Sequence, residues 1–406
     1  MIERIPGRSI PRVSYGDKSA RFQRYGFFSE APICHNLSGM DSRERVATDT
    51  AGLLLEPVFP DPVKANARAG VSGVGVGVIG CGRATVALHL PALSRLPGLR
   101  VTALCDSNPA RLTEVGRAWG VASLYRDHGD LLGDPAVQVV LIAVPTPEHH
   151  DVFLRATEAG KHVYVEKPVA LDLAQADRML AAAASSRART VLGFNLRSHR
   201  LVRSAHACIR SGALGRVVAL RTVLVGGLAE RVPWQRRRAQ GGGAIYELGS
   251  HHFDLWRFLL DSEAVEVRAH SLSNGSDDST VAVSARLSSG ALASSILALS
   301  GAATHQVEVI GQAATLRFSL YRADSFHIEP VGRLSELINW LGRLPGAVRA
   351  ARRGGDYLDS YRTHWMRFLE ALSGGEPPAT VKDGRESLRI ALGAFESESS
   401  GRCCAL

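Results

Sequence analysis

From Gly73 onward the chain alternates short apolar runs with amphipathic stretches. Val74–Ile79 is built of valine, isoleucine and glycine alone, as a strand buried on both faces of a parallel sheet should be. It runs straight into Gly80-Cys-Gly-Arg-Ala-Thr85 and then a helical pattern through Leu88, Leu90, Leu93 and Leu96. Val101–Cys105 predicts a second strand ending at Asp106, and Asn108-Pro109 opens the helix after it. Val137–Val144 predicts a third, closed by Pro145-Thr-Pro147 and followed by a helix to Gly160. His162–Val165 predicts a fourth, closed by Glu166-Lys167-Pro168; a helix over Asp172–Ser186 and a strand over Thr190–Phe194 follow. Strand and helix in strict alternation predict an α/β fold with a doubly wound parallel sheet.

After Asn195 the rhythm changes. A helix over about Leu201–Ile209 leads to a long β-rich run, Val217–Val225. Between Ala264 and Ile328 come alternating segments: Glu266–Ser271, Val281–Leu287, Ile296–Leu299, Val307–Ile310 and Thr315–Leu320. They predict a mostly antiparallel, half-buried sheet with one face left for a helix, a ligand or a second subunit. Helical spacing returns in Leu334–Ala350, Tyr357–Leu372 and Glu386–Glu396. At 406 residues the chain exceeds one hydrophobic core. The expected division is a flexible extension over 1–72, a doubly wound domain over 73–195, and a second α/β domain over 196–406. A start at Met40 is an alternative for the weakly patterned N-terminal stretch.

Composition narrows the function. The apolar fraction of 45% and charged fraction of 21% are those of an ordinary globular protein. Net charge is +9, and only five of the 48 basic residues are lysines. The arginines are dispersed, with one tight run at Arg236–Arg238, and no nucleic-acid motif accompanies them, so no nucleic-acid partner is expected. Six cysteines show neither CxxC nor metal-ligand spacing. No metal site is therefore expected, and a reduced, cytoplasmic setting is. Cys403-Cys404-Ala-Leu406 formally fits a prenylation box, but without a polybasic stretch it is expected to be a frayed tail. No run approaches the ~18 apolar residues of a membrane span, so no membrane partner is expected.

Three constellations carry chemistry. Gly80-x-Gly82-x-x-Thr85 lies between a strand and a helix, where backbone N–H groups meet a pyrophosphate. Arg83 and Ala84 belong to that loop, and Asp106 ends the next strand, placed to bond a ribose diol. Its carboxylate favours NAD over NADP, although Arg111 one turn on leaves NADP open. Glu166-Lys167-Pro168 sits at the C-terminal edge of a parallel strand, where such sheets bind ligands, and puts a cation beside the reacting oxygen. The third is Gly241-Gly-Gly-Ala-Ile-Tyr-Glu-Leu-Gly-Ser-His-His-Phe-Asp254. On an α-helix, Ile245, Leu248, Leu255, Trp256 and Leu259 form one stripe, with His252 among them as a core histidine. Glu247, His251 and Asp254 fall within roughly 60° of one another on the other side.

Taken in order, these motifs, with Pro145-Thr-Pro-Glu-His149 and Ala159-Gly-Lys-His-Val-Tyr-Val-Glu-Lys-Pro168, resemble the glucose–fructose oxidoreductase/inositol dehydrogenase (Gfo/Idh/MocA) family over about Gly75–Gly401. The resemblance implies a dinucleotide-binding Rossmann domain over 73–195, followed over 196–406 by an α/β domain for substrate and oligomerisation, whose open, mostly antiparallel sheet often mediates homo-oligomers. It implies NAD, with NADP open, held by Gly80, Gly82, Arg83, Ala84, Asp106, Pro145, Thr146, His149, Glu166 and Lys167. It maps the family's lysine onto Lys167, before a cis proline, and its catalytic histidine onto His251. Where the family has aspartate stands Glu247, and Val144 replaces a threonine. The implied reaction is hydride transfer between nicotinamide and a secondary alcohol or ketone of a sugar, cyclitol or nucleotide sugar. His251 would exchange the proton, Lys167 would hold the oxygen and Glu247 would orient the imidazole. Trp234 and Arg236 would border a small-molecule substrate together with Lys167 and His251. An NAD-dependent glycoside hydrolase and a non-catalytic dinucleotide-binding regulator on the same fold are the alternatives.

Overall fold

The structure, a computed structural model, describes residues 73–226, 232–322, 325–330 and 355–406. The expectations for 1–72 and for a helix over Leu334–Ala350 lie outside them. The first sheet is six-stranded and parallel, in the order β3-β2-β1-β4-β5-β6. Its strands are β1 (Val74–Ile79), β2 (Leu99–Cys105), β3 (Ser123–Tyr125), β4 (Val139–Ile142), β5 (His162–Val165) and β6 (Thr190–Leu192). β1, β4 and β5 run through the middle with nearly every side chain enclosed, which is why their sequences are continuously apolar rather than alternating. The three-residue β3 and the short helix α3 (His128–Gly133) lacked a sequence signal, being too short to show a period.

The helices of this half begin where their caps say. α2 (Pro109–Trp119) starts at Asn108, whose side chain accepts from the N–H groups of Ala110 and Arg111, with Pro109 in the first turn. α5 (Leu173–Ser185) starts at Asp172, which accepts from Gln175. Between β1 and α1 (Leu90–Leu93) the chain makes a π-helical turn, Thr85–His89. α4 (Thr146–Glu158) follows β4.

The second sheet has eight strands in the order β13-β12-β11-β7-β10-β9-β8-β14. They are β7 (Val217–Val225), β8 (Ala264–Leu272), β9 (Thr280–Leu287), β10 (Leu292–Ala298), β11 (Thr304–Gly311), β12 (Ala314–Ser319), β13 (His327–Pro330) and β14 (Cys404–Ala405). All neighbours are antiparallel except β7 and β10. Burial alternates along β9 as in a sheet with one covered face. The cover comes from α7 (Ser250–Leu260) and α9 (Val381–Ser400); α6 (Arg200–Arg210) packs beside α7. The expected frayed tail is a correction. Residues 404–405 pair with Val267 and Glu266 as the edge strand, and the Leu406 side chain fills the space a Cβ on Gly393 would need. An apolar last residue with a groove to enter does not fray.

α8 (Asp356–Leu372) does not stay with the second sheet. Trp365, Tyr361 and Phe368 enter the core formed by Val76, Val78, Leu90 and Leu141 of the first, and Trp365 stacks on Tyr164 at 4.4 Å. No helix of the described residues is long and apolar enough to cross a membrane.

Candidate active site

The glycine loop has the two properties a dinucleotide needs. Gly80 has φ +96°, and a Cβ there would lie 2.5 Å from the Ala143 carbonyl oxygen, so the turn admits only glycine. Gly82 is the opposite case, since a Cβ on it would meet nothing within 4 Å. The space beside it is open for a pyrophosphate at the helix entrance. Thr85 closes the turn by donating to the Gly80 carbonyl oxygen at 2.5 Å. Arg83 is exposed and Ala84 half-buried at the same rim. The Asp106 carboxylate accepts from Cys81 N–H and Asn108 N–H, each at 2.8 Å, and Arg111 lies 3.3 Å away. It therefore ties the loop to the end of β2. These residues fit NAD: an open glycine, a helix entrance and a carboxylate at the second strand.

At the C-terminal edge of the sheet, Thr146 begins α4, buried against Gly241 of the second motif; a Cβ there would lie 2.7 Å from Thr146 Cβ. Pro145 is half-buried beside it. His149 is enclosed with both ring nitrogens near carbonyl oxygens, Pro168 at 2.8 Å and Val144 at 2.9 Å. It braces the exits of β4 and β5 against each other. Burial is the largest influence on its pKa, which is lowered.

Glu166 is enclosed too. One oxygen lies 2.9 Å from His89 Nε2 and the other accepts from Lys167 N–H at 3.1 Å. Burial alone would raise its pKa; the His89 bond and the Lys167 charge outweigh it and hold the carboxyl below the usual range. The Lys167–Pro168 peptide is cis. From there the Lys167 side chain crosses to the second motif, where Nζ donates to the Glu247 backbone carbonyl oxygen at 2.9 Å.

The second motif is not one continuous α-helix. Ile245–Gly249 is a π-helical turn that runs into α7 at Ser250. The wider turn loosens the carbonyl ladder, as π-turns do at functional sites, and shifts Glu247 out of the phase expected for it. Glu247 meets Lys167 through its backbone, and its carboxylate makes no hydrogen bond to His251. The expected grouping of Asp254 with His251 is a further correction. Asp254 is buried and bonded to Arg197 through both oxygens, at 2.8 and 2.6 Å, with Asp383 2.9 Å from the same guanidinium. It is a structural ion pair beneath the site. His252 is a core histidine as expected, 2.6 Å from Thr222 Oγ1.

His251 stands apart. It is 7% exposed, Nδ1 is enclosed without a partner, and the ring makes no hydrogen bond. Burial pushes its pKa well below the ordinary value, and the Lys167 charge pushes the same way. A neutral imidazole without commitments, beside an ammonium, can take a proton from a bound hydroxyl.

The arginine loop precedes the second motif. Trp234 is half-buried and Arg236 exposed in the turn Pro233–Arg236. Arg238 pairs with Asp278 and Glu398 and lies over the Phe395 ring at 4.3 Å. Pattern reading missed His89, Arg197 and Trp365. His89 sits in an apolar helical stretch, and Trp365 lies 276 positions from its partner, beyond reach of any local spacing.

Among the described residues no group of side chains could hold a metal ion. The family model described as an oxidoreductase family with an NAD-binding Rossmann fold matches residues 74–194, and the GFO/IDH/MocA C-terminal domain model matches 202–317. The chain is 27% identical over 341 residues to a myo-inositol 2-dehydrogenase of Thermotoga maritima, covering 79% of this chain and 95% of that protein. It is 27% identical over 345 residues to a D-apiose dehydrogenase of Paraburkholderia graminis, covering 80% and 88%. Among solved structures, the WlbA dehydrogenase of Bordetella pertussis in complex with NADH and UDP-GlcNAcA superposes with TM-score 0.73 at 19% identity, over 82% of this chain and 98% of that one. At that identity the likeness is one of fold.

Proposed function

The chain belongs to the Gfo/Idh/MocA oxidoreductase family, and from that premise we propose that it oxidises or reduces a secondary alcohol or ketone of a sugar, cyclitol or nucleotide sugar. The observation that carries this is the Lys167 ammonium resting on the Glu247 carbonyl, one turn before an imidazole that has no other bond. Bound nicotinamide supplies the hydride acceptor or donor. Lys167 leaves the carbonyl for the substrate oxygen and stabilises the charge that develops on it. His251 takes the hydroxyl proton in oxidation and returns it in reduction, having been held neutral by burial. Glu247 acts through its backbone, holding the ammonium at this position until substrate arrives. Gly80, Gly82, Arg83, Ala84, Asp106, Pro145 and Thr146 border the cofactor, with Glu166 and His149 fixing the strand ends beneath it. Trp234 and Arg236 border the outer part of the substrate pocket.

NAD is favoured over NADP because Asp106 keeps a carboxylate at the ribose position, against which a 2′-phosphate would be repelled. Assembly into a homo-oligomer and a cytoplasmic setting belong to the same proposal. The uncovered face of the second sheet supports the first, since it presents Leu292 and Ile296, 59% and 44% exposed, to the outside. The free, buried Cys81 and Cys105 support the second. The test is a screen of sugars, cyclitols and nucleotide sugars with NAD and NADP, followed at the nicotinamide absorbance. Turnover that depends on Lys167 and His251 is expected; activity undiminished in Lys167→Ala or His251→Ala would overturn the assignment.

A further inference from the structure

Lys167 is held at its backbone as well as at its tip, and the line of bonds that holds it runs deep. Trp365 Nε1–H donates to His89 Nδ1 at 3.1 Å. That bond settles the tautomer: Nδ1 carries the lone pair, so Nε2 carries the hydrogen and donates to Glu166 at 2.9 Å. The second Glu166 oxygen accepts from Lys167 N–H. His89 and Trp365 are fully enclosed and Glu166 is 7% exposed, so water does not compete for these bonds. Tyr164 and Tyr361 stand edge-on to the His89 ring, each at 5.2 Å. The Glu166 carboxylate itself fits only because residue 193 is glycine; a Cβ there would lie 2.8 Å from Glu166 Oε1. Three separate parts of the chain thus converge on one peptide. The tryptophan comes from α8, outside the spans that either family model matches.

We propose that Trp365 and His89 are positioning residues for Lys167, with Trp365 selecting the His89 tautomer that lets Glu166 pin the Lys167 peptide. The consequence is that α8, which follows the second sheet in sequence, governs where the ammonium of the first sheet can reach. The proposal rests on Lys167 as the reactive lysine, but its test needs no substrate. His89→Gln keeps both bonds, because an amide oxygen can accept from Trp365 while its N–H₂ donates to Glu166. His89→Leu loses both at similar volume, and Trp365→Phe removes the donor while keeping a ring in the core.

The experiment measures the acylation rate of Lys167 by an activated ester in the full-length protein, resolved by peptide mass spectrometry. Lys161, whose ammonium is held by the Asp134 and Val137 carbonyls, is the internal control. Lys167 is expected to react about threefold to tenfold faster in His89→Leu and Trp365→Phe, the factor one net hydrogen bond sets. It should stay within about twofold of the parent in His89→Gln, and Lys161 should be unchanged in all three. Side-chain ¹⁵N spectra should show an unprotonated His89 Nδ1 in the parent and a changed tautomer in Trp365→Phe. Equal Lys167 rates in the parent and Trp365→Phe would overturn the proposal, as would a His89→Gln rate as altered as that of His89→Leu. If His89→Leu does not fold, the Trp365→Phe rate and the spectra decide alone. Absence of turnover on every sugar would count against the enzymatic reading while leaving these rates to stand.

Discussion

Two π-helical turns, one in each half of the molecule, bring a histidine to either end of the same lysine. Thr85–His89 delivers His89 beneath the Lys167 peptide, and Ile245–Gly249 leads to His251 beside its ammonium. The rings differ in what they are bonded to. His89 has a donor on one nitrogen and an acceptor on the other, both from side chains and both enclosed. His251 has neither, although it is nearly as buried. A polar group buried without a partner costs stability, so an uncommitted imidazole next to a cation marks where a bound molecule completes the bonding. A fully bonded one is scaffold, whatever motif it belongs to.

The sharpest way to break that contrast is to swap the consequences of mutating each ring. His251→Gln should lower turnover by about 10²–10⁴, the usual contribution of a positioned acid or base, while leaving the unfolding free energy within about 1 kcal/mol. His89→Leu should act first on stability, and on turnover only through Lys167. It strands the Trp365 N–H and a Glu166 oxygen in the core, so it should cost about 1–3 kcal/mol of stability. Thermal or urea unfolding and steady-state kinetics on the same two proteins check both. Near-normal turnover in His251→Gln would remove the distinction between the two rings.

A second pair of positions sharpens the same lesson within one loop. Gly80→Ala places a side chain at φ +96° and against the Ala143 carbonyl, so it should destabilise the fold by more than about 2 kcal/mol. Gly82→Ala meets nothing in the protein and should leave unfolding unchanged. Its methyl group occupies the space left for the pyrophosphate, so NADH affinity should fall by about tenfold or more, close to 1.4 kcal/mol. Fluorescence titration of NADH alongside thermal unfolding separates them. An unchanged NADH affinity in Gly82→Ala would mean that the dinucleotide does not pass there.

How far the sequence reached follows from the range of each interaction. Both sheets were legible, because a buried parallel strand and a half-covered antiparallel one impose different periods on neighbouring residues. The motif residues were legible as residues, yet their geometry was not. The helix through His251 was expected to carry Glu247, His251 and Asp254 as one stripe, and the π-turn breaks that phase within five residues. Asp254 then proved to be the partner of Arg197, 57 positions away. Trp365 and His89 carry no sign of their pairing, because a tryptophan and a histidine at helical spacing look like ordinary core. The ordered tail was hidden for the same reason: what holds Leu406 is a groove built from β8 and α9.

The last contrast concerns His252, adjacent in sequence to His251 but bonded to Thr222. Burial pushes its pKa down to about 3, from an ordinary value of 6.5. Its folded-state pKa is therefore the lower one. As pH falls below 6.5, the unfolded chain takes up a proton that the folded chain refuses, so stability is present above 6.5 and is lost toward 3. His252→Asn keeps a group that can bond Thr222 and does not titrate. Between pH 6.5 and 4.5 its stability should fall less steeply than the parent's by one proton, about 1.4 kcal/mol per pH unit. Urea unfolding at several pH values gives both slopes. Parallel slopes would mean that His252 accepts its proton without unfolding, and its ring would then not belong to the closed core.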